Sequence, residues 1–239
     1  MIGRRDDGEA EMGRAWWSDR RGWLFGRRGA VAAAALLIPA VVLIRVPAAL
    51  AFPYRAQIGA TTILSERSLD PRMAMVLARA DTLLAASPLW RPGLTRQVVL
   101  TDGGWRWQVL AIGSRGAIAL RRPFSDALIF NRSDVGRDRV TNGAAIGGVR
   151  TLSGTIAHEM THRLVAGRFG ELHYAMMPLW KREGYADHVA QETSIDPGDE
   201  ARIRAADPDA PVLAYYEGRR RVATALRRNG GSVDALLAQ

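Results

Sequence analysis

An α+β fold is predicted by three observations on this 239-residue chain. Short stretches rich in Val, Ile and Leu cluster between residues 95 and 131, separated by Gly-Gly, Gly-Ser and Arg-Pro breaks. From residue 151 onward the apolar positions recur at helical spacing. A hydrophobic content of 48% over this length supports one sizeable core and is short for two full domains. A small sheet in the first half and a helical second half together indicate one α+β domain, assigned to residues 53–239.

The residues before that domain read as an address. Residues 1–28 are a polar lead in which Arg4, Arg5, Arg14, Arg20, Arg21, Arg27 and Arg28 are offset by five acids. Residues 30–44 carry no charge. As a helix they rise about 22 Å, short of the roughly 30 Å hydrocarbon core, which suits a signal-peptide core. Continued to Phe52, with Arg45 snorkelling, the segment reaches about 35 Å and spans. Residues 29–52 are therefore either a single-pass transmembrane anchor or a signal segment cleaved near Ala51, after the small-residue site Ala49-Leu50-Ala51. The anchor is favoured, because so long a polar lead is unusual for a signal peptide. Either way the arginine-rich side stays in the cytoplasm and the domain becomes extracytoplasmic, periplasmic in a bacterial cell.

Within the domain, Asp70-Pro71 opens a helix over 70–88, with Met73, Val76, Leu77, Ala80, Leu83 and Leu84 on its apolar face. Strands are predicted at 97–101, 107–112, 117–120 and 127–131. Trp105 and Trp107 alternate as on a strand face. The stretch 127–131 is either a sheet edge that pairs with an extended peptide or an interior strand. After a glycine-rich loop at 143–148, helices are predicted over 151–167, 178–192, 198–206 and 211–228, with a last short one from Ser232.

Composition removes several classes of function. There is no cysteine, so disulfides, thiolate zinc sites and thiol nucleophiles are excluded, and any metal must be held by His, Asp or Glu. The net charge of +9 comes from 33 basic and 24 acidic residues, and Lys181 is the only lysine. This favours an anionic membrane surface or acidic partner, but no basic-aromatic interleaving or reader motif points to nucleic acid.

The chemistry is carried by His158-Glu159-Met160-Thr161-His162 in the first of the later helices. Four residues of helix turn about 400°, so the two imidazoles lie one turn apart on nearly one face and can grip one ion. Glu159, next along the helix, is placed to accept a proton from a water at the metal and pass it to a leaving amine. A catalytic zinc needs a third protein ligand and an open position. Glu183 falls twenty-one residues after His162 in the next predicted helix, and Asp187 four residues further on the same face. A carboxylate at Asp187 can accept the outer N–H of a ligating histidine.

HExxH followed by an ExxxD helix resembles the gluzincins, the thermolysin-like zinc metallopeptidases. Trp180-Lys181-Arg182-Glu183-Gly184-Tyr185-Ala186 is similar to the W-x-x-E-G-x-A segment of many aminopeptidase and small peptidase-like relatives. The resemblance covers about forty residues, from Gly154 to Glu192. It implies a zincin-like domain with His158, His162 and Glu183 as ligands to Zn2+, Glu159 as base and Asp187 behind the metal. There is no G-x-M-E-N exopeptidase motif, and Arg168 stands where metzincins carry a third histidine. An oxyanion donor is sought among His173, Tyr174, Tyr185, Tyr215 and Tyr216, with Tyr215 and Tyr216 preferred. His188 points away and is read as ordinary. The expected activity is peptide-bond hydrolysis on a peptide or protein substrate. Two alternatives stay open: an inactive zinc-binding structural or interaction domain at the membrane, and a zinc hydrolase of a non-peptide amide or ester.

Overall fold

A computed structural model of the chain describes residues 47–195 and 197–238. Leu50–Gln239 forms one compact unit. The predicted lead at 1–28 and most of the predicted anchor or signal segment at 29–52 lie outside the described residues. Among the described residues, no helix is long and apolar enough to cross a membrane.

Leu50–Gln239 is α+β, with a sheet-containing first half and a helical second half as expected. The strands are β1 (Tyr54–Ile58), β2 (Thr61–Ser65), β3 (Arg96–Thr101), β4 (Ala119–Arg121), β5 (Ala127–Asp134), β6 (Arg139–Thr141) and β7 (Val149–Thr151). They form one mixed sheet in the order β1-β2-β3-β5-β6-β7, with β4 beside β5. β2, β3 and β5 are parallel neighbours, and the remaining pairs are antiparallel. Parallel neighbours need a crossover. Helix α1 (Met73–Leu84) supplies it between β2 and β3, and α2 (Trp105–Leu110) with β4 lies between β3 and β5. After β7 the chain is helical: α3 (Leu152–Phe169), α4 (Glu171–Met176), α5 (Leu179–Ala190), α6 (Glu200–Ala206), α7 (Pro211–Arg228) and α8 (Val233–Leu237).

Alternation along the central strands sorts their side chains to two faces. Ile63, Val98, Leu100, Leu128 and Phe130 join one core cluster with Met73, Val76 and Leu77 of α1 and Ile156 and Met160 of α3. Tyr185 and Val189 of α5 complete it. The intervening Leu64, Val99 and Ile129 are buried as well. Continuous apolar runs such as Val98-Val99-Leu100 mark strands covered on both faces.

Two carboxylates anchor the start of α3. Asp138 accepts Ser153 N–H and Oγ–H, both at 2.7 Å, while Glu192 accepts Thr151 N–H at 2.8 Å and Oγ–H at 2.9 Å. The Thr151 hydroxyl caps the helix through Gly154 N–H. Acids at a helix N-terminus satisfy its free amides and suit its dipole. Helix α5 meets α7 backbone to backbone: a Cβ at Gly184 would lie 2.4 Å from the Gly218 carbonyl carbon and oxygen. Glycine directly after Glu183 is thus a packing requirement.

Several expectations are corrected. The segment predicted as a strand at 107–112 is helix α2, because its buried positions are Trp107, Leu110 and Ala111, a helical spacing, and the Gly103-Gly104 turn redirects the chain. Trp107 is core and donates its indole N–H to Arg115 O at 3.0 Å, whereas Trp105 is exposed. The sheet is larger than expected: β1, β2, β6 and β7 were not predicted, and neither was α4. The stretch 127–131 is an interior strand, paired with β3 on one side and β4 on the other. β4 pairs with β5 alone, so among the described strands it is an edge, as are β1 and β7.

Candidate metal centre

One stripe of α3, Thr155, His158, Glu159 and His162, faces a cleft of about 490 Å³. The opposite wall includes β4 and the residues leading into it, from Gly116 to Arg121, and Glu183 of α5 and Tyr215 of α7 also face it. A larger hollow, about 1050 Å³, lies on the other side of α3 against Met160, Arg163 and Leu164, but no histidine lines it. The chemistry belongs to the smaller cleft.

His158, His162 and Glu183 form a group that can hold a metal ion. The two Nε2 atoms stand 2.9 Å apart, and Glu183 Oε2 is 3.4 Å from His158 Nε2 and 3.3 Å from His162 Nε2. Ligands at 2.0–2.1 Å around a tetrahedral ion are about 3.3–3.4 Å from one another. Two edges already have that length, and a small rotation of the imidazoles supplies the third. The donors, two imidazole nitrogens and one carboxylate oxygen, fit a borderline divalent cation such as zinc.

Behind the ligands is a buried chain of charge. His158 Nδ1–H donates to Asp187 Oδ1 at 2.8 Å, which leaves Nε2 as the atom turned to the metal point. Arg150 donates to the same Asp187 oxygen at 2.8 Å and to Glu192 O at 3.3 Å. The Asp187 side chain is 0% exposed and that of Arg150 6%. Burial raises the Asp187 pKa, but the Arg150 charge and the His158 hydrogen bond outweigh it and hold the carboxyl below its ordinary range. Glu183 behaves alike: burial pushes it up, and the His162 and His158 imidazoles bring it well below the usual value. Both acids are ionised at neutral pH.

Burial lowers the His158 pKa, yet its hydrogen bonds to Asp187 and Glu183 outweigh this and raise it to about 9. Without metal, a proton therefore sits on His158 at pH 7 and must leave before Nε2 can ligate. Metal binding should release about one proton at pH 7.5, and apparent affinity should rise about tenfold per pH unit from 7 toward 9. Calorimetric titrations in buffers of differing ionisation enthalpy measure this. Binding without proton release would contradict the assigned protonation.

Glu159 is buried on the cleft wall, and among the described residues no donor hydrogen-bonds its carboxylate. Of the five candidate oxyanion donors, Tyr174 and Tyr215 line the cleft. Burial and the Glu183 charge raise both phenol pKa values, so both hydroxyls are neutral donors. Tyr216 is corrected: it packs against Ile195, Ile203 and Leu213, away from the ligands. Tyr185 is core and its hydroxyl meets Ser87 Oγ at 2.7 Å, while His173 Nε2 lies 3.1 Å from Leu237 O.

Sequence reasoning missed Arg150, Arg121 and Arg182 as part of the site. Arg121 makes a two-pronged bond to Glu171 at 2.8 and 2.6 Å and lies over the Tyr174 ring at 4.4 Å. No local pattern marks it, because Glu171 is fifty residues away. No protein-family model, no curated protein and no solved structure matches this chain.

Proposed function

We propose that this chain is a zinc-dependent metallopeptidase of the gluzincin type, a zincin-like domain held at or exported across a membrane. The observation that carries the reading is the convergence of two Nε2 atoms and one Glu183 oxygen on a single point, with uncommitted Glu159 on the same wall. Three protein ligands leave one coordination position open, the hallmark of a catalytic zinc. A purely structural ion would be closed by a fourth protein ligand, and among the described residues no fourth His, Asp or Glu joins the group.

When bound, zinc supplies a Lewis acid that lowers the pKa of water from 15.7 to about 7. The chain's own groups do the rest. Glu159 accepts the proton of the attacking water and delivers it to the leaving amine nitrogen. The Tyr174 and Tyr215 hydroxyls donate to the carbonyl oxygen as it gains charge. Asp187, kept anionic by Arg150, fixes the His158 tautomer and ring orientation. The free edge of β4 offers backbone donors and acceptors to an extended peptide, so the substrate adds as a strand beside the metal.

Metal removal tests the proposal. The purified full-length protein should cleave a mixed peptide library, lose cleavage on treatment with a zinc chelator, and regain it with about one equivalent of zinc but not with magnesium. Cleavage indifferent to the chelator, or a zinc-loaded protein that cleaves no peptide, would overturn it.

A further inference from the structure

Three arginines and two glutamates are the formally charged side chains lining the metal cleft: Arg121, Arg150, Arg182, Glu159 and Glu183. A divalent cation adds two positive charges, which bring the loaded cleft to balance once Asp187, Glu192 and Glu171 are counted, so its preference is set by which guanidinium has donors to spare. The three guanidinium groups differ in how they are engaged. Arg150 is 6% exposed and bound to Asp187, and Arg121 is 8% exposed and bound by both oxygens of Glu171. Arg182 is 26% exposed and makes one bond, from Nε to Glu183 Oε1 at 3.2 Å. Among the described residues its two Nη groups have no hydrogen-bond partner. The Tyr174 ring holds the guanidinium in place, 5.4 Å from its centroid.

This leaves one cleft-lining guanidinium whose paired Nη donors are unused, beside the carboxylate that closes the metal triad. We infer that Arg182 is the specificity residue of the site and binds a carboxylate of the substrate. The inference rests on the metallopeptidase reading and names its substrate class: peptides with a carboxylate close to the scissile bond. The Glu183 carboxylate reaches the imidazoles with one oxygen and Arg182 with the other. Arg182 is therefore within the one or two residues, about 3.3 Å each, that an extended peptide covers from a carbonyl at the metal. A guanidinium fork matches a carboxylate with two parallel bonds, which neither an amide nor a hydroxyl can accept. The carboxylate comes either from a free C-terminus or from a Glu or Asp side chain.

The test uses the full-length, zinc-loaded Glu159→Gln protein, in which binding is measured without turnover. Four probes suffice: an N-acetyl tri-alanine as the free acid, the same peptide as its C-terminal amide, and two N-acetyl, C-amidated tripeptides with Glu or Gln at the centre. Binding of the acid over the amide, or of the Glu over the Gln peptide, should be favoured about 10-fold to 100-fold, and which pair shows it identifies the source. In the added Arg182→Leu background the preference should fall below about threefold, and Arg182→Lys should retain part of it. Zinc content is measured on each variant; if Arg182→Leu loses metal, Arg182→Gln replaces it in the same comparison. No preference in either pair overturns the inference. So does a preference that survives loss of Arg182, since the carboxylate would then be held by the metal. The metallopeptidase reading fails separately, when the protein with Glu159 intact binds the acids and cleaves no peptide.

Discussion

Replacing Glu159 by Gln should lower peptide cleavage by about 10²–10⁴-fold while leaving bound zinc at the wild-type level. The two side chains have nearly the same size, so the buried wall of α3 is not repacked. Gln cannot accept a proton, and the step lost is the transfer from water to the leaving amine. The zinc stays because Glu159 is not one of the three convergent ligands. Steady-state kinetics with metal analysis of the same sample reads both halves. Activity within about threefold of wild type would remove the base from Glu159. Loss of zinc would make it a ligand instead.

The second large effect belongs to Asp187. Asp187→Ala should destabilise the domain by about 3 kcal/mol, because it leaves the buried Arg150 guanidinium with only Glu192 to compensate it. It should also weaken metal binding about 10-fold to 100-fold, since His158 loses the acceptor that sets its tautomer. Arg150→Met combined with Asp187→Leu separates the two consequences. The double variant removes both buried charges, so stability should return to near wild type while metal affinity stays low. Denaturant melts of the metal-free proteins and competitive zinc titrations measure these quantities. Metal affinity restored along with stability would reduce Asp187 to a structural role.

The parts of the site legible in the sequence are those in which local periodicity carries the geometry. His158, Glu159 and His162 sit on one helix, and Glu183 and Asp187 on another, so helical spacing alone gives each set a common face. Their approach to one another depends on the packing of α3 and α5 through Tyr185 and Val189, which are visible in the sequence only as apolar positions. Arg150 was not legible, because its partner is 37 residues away and meets it through tertiary packing of β7 and α5. Tyr215 and Tyr216 illustrate the same boundary. Neighbours on a helix point about 100° apart, so both can face a wide cleft, as His158 and Glu159 do, or only one, as Tyr215 does while Tyr216 meets the Ile195 cluster. Only the rotation of α7, held by the Gly184 and Gly218 contact, decides which.

Sheet and helix assignments followed a similar rule. Continuous apolar strands such as β3 and β5 were recognisable because burial on both faces leaves a run of Val, Ile, Leu and Phe. The Trp105 and Trp107 alternation mimicked a strand because only one of the two is buried. The hairpin of β1 and β2 turns at Gly59 with positive φ, but exposed Tyr54, Arg55 and Gln57 dilute the apolar pattern of β1. Short strands that gain their place from a neighbour leave little local trace.

The central claim is tested most directly by locating the metal. Crystals of the zinc-loaded protein, with diffraction measured on both sides of the zinc absorption edge, should give one strong anomalous peak per chain, about 2.0–2.2 Å from His158 Nε2, His162 Nε2 and a Glu183 oxygen. In His162→Ala the peak should disappear. A peak held by other residues, a fourth protein ligand closing the site, or no peak at full zinc loading would contradict the account.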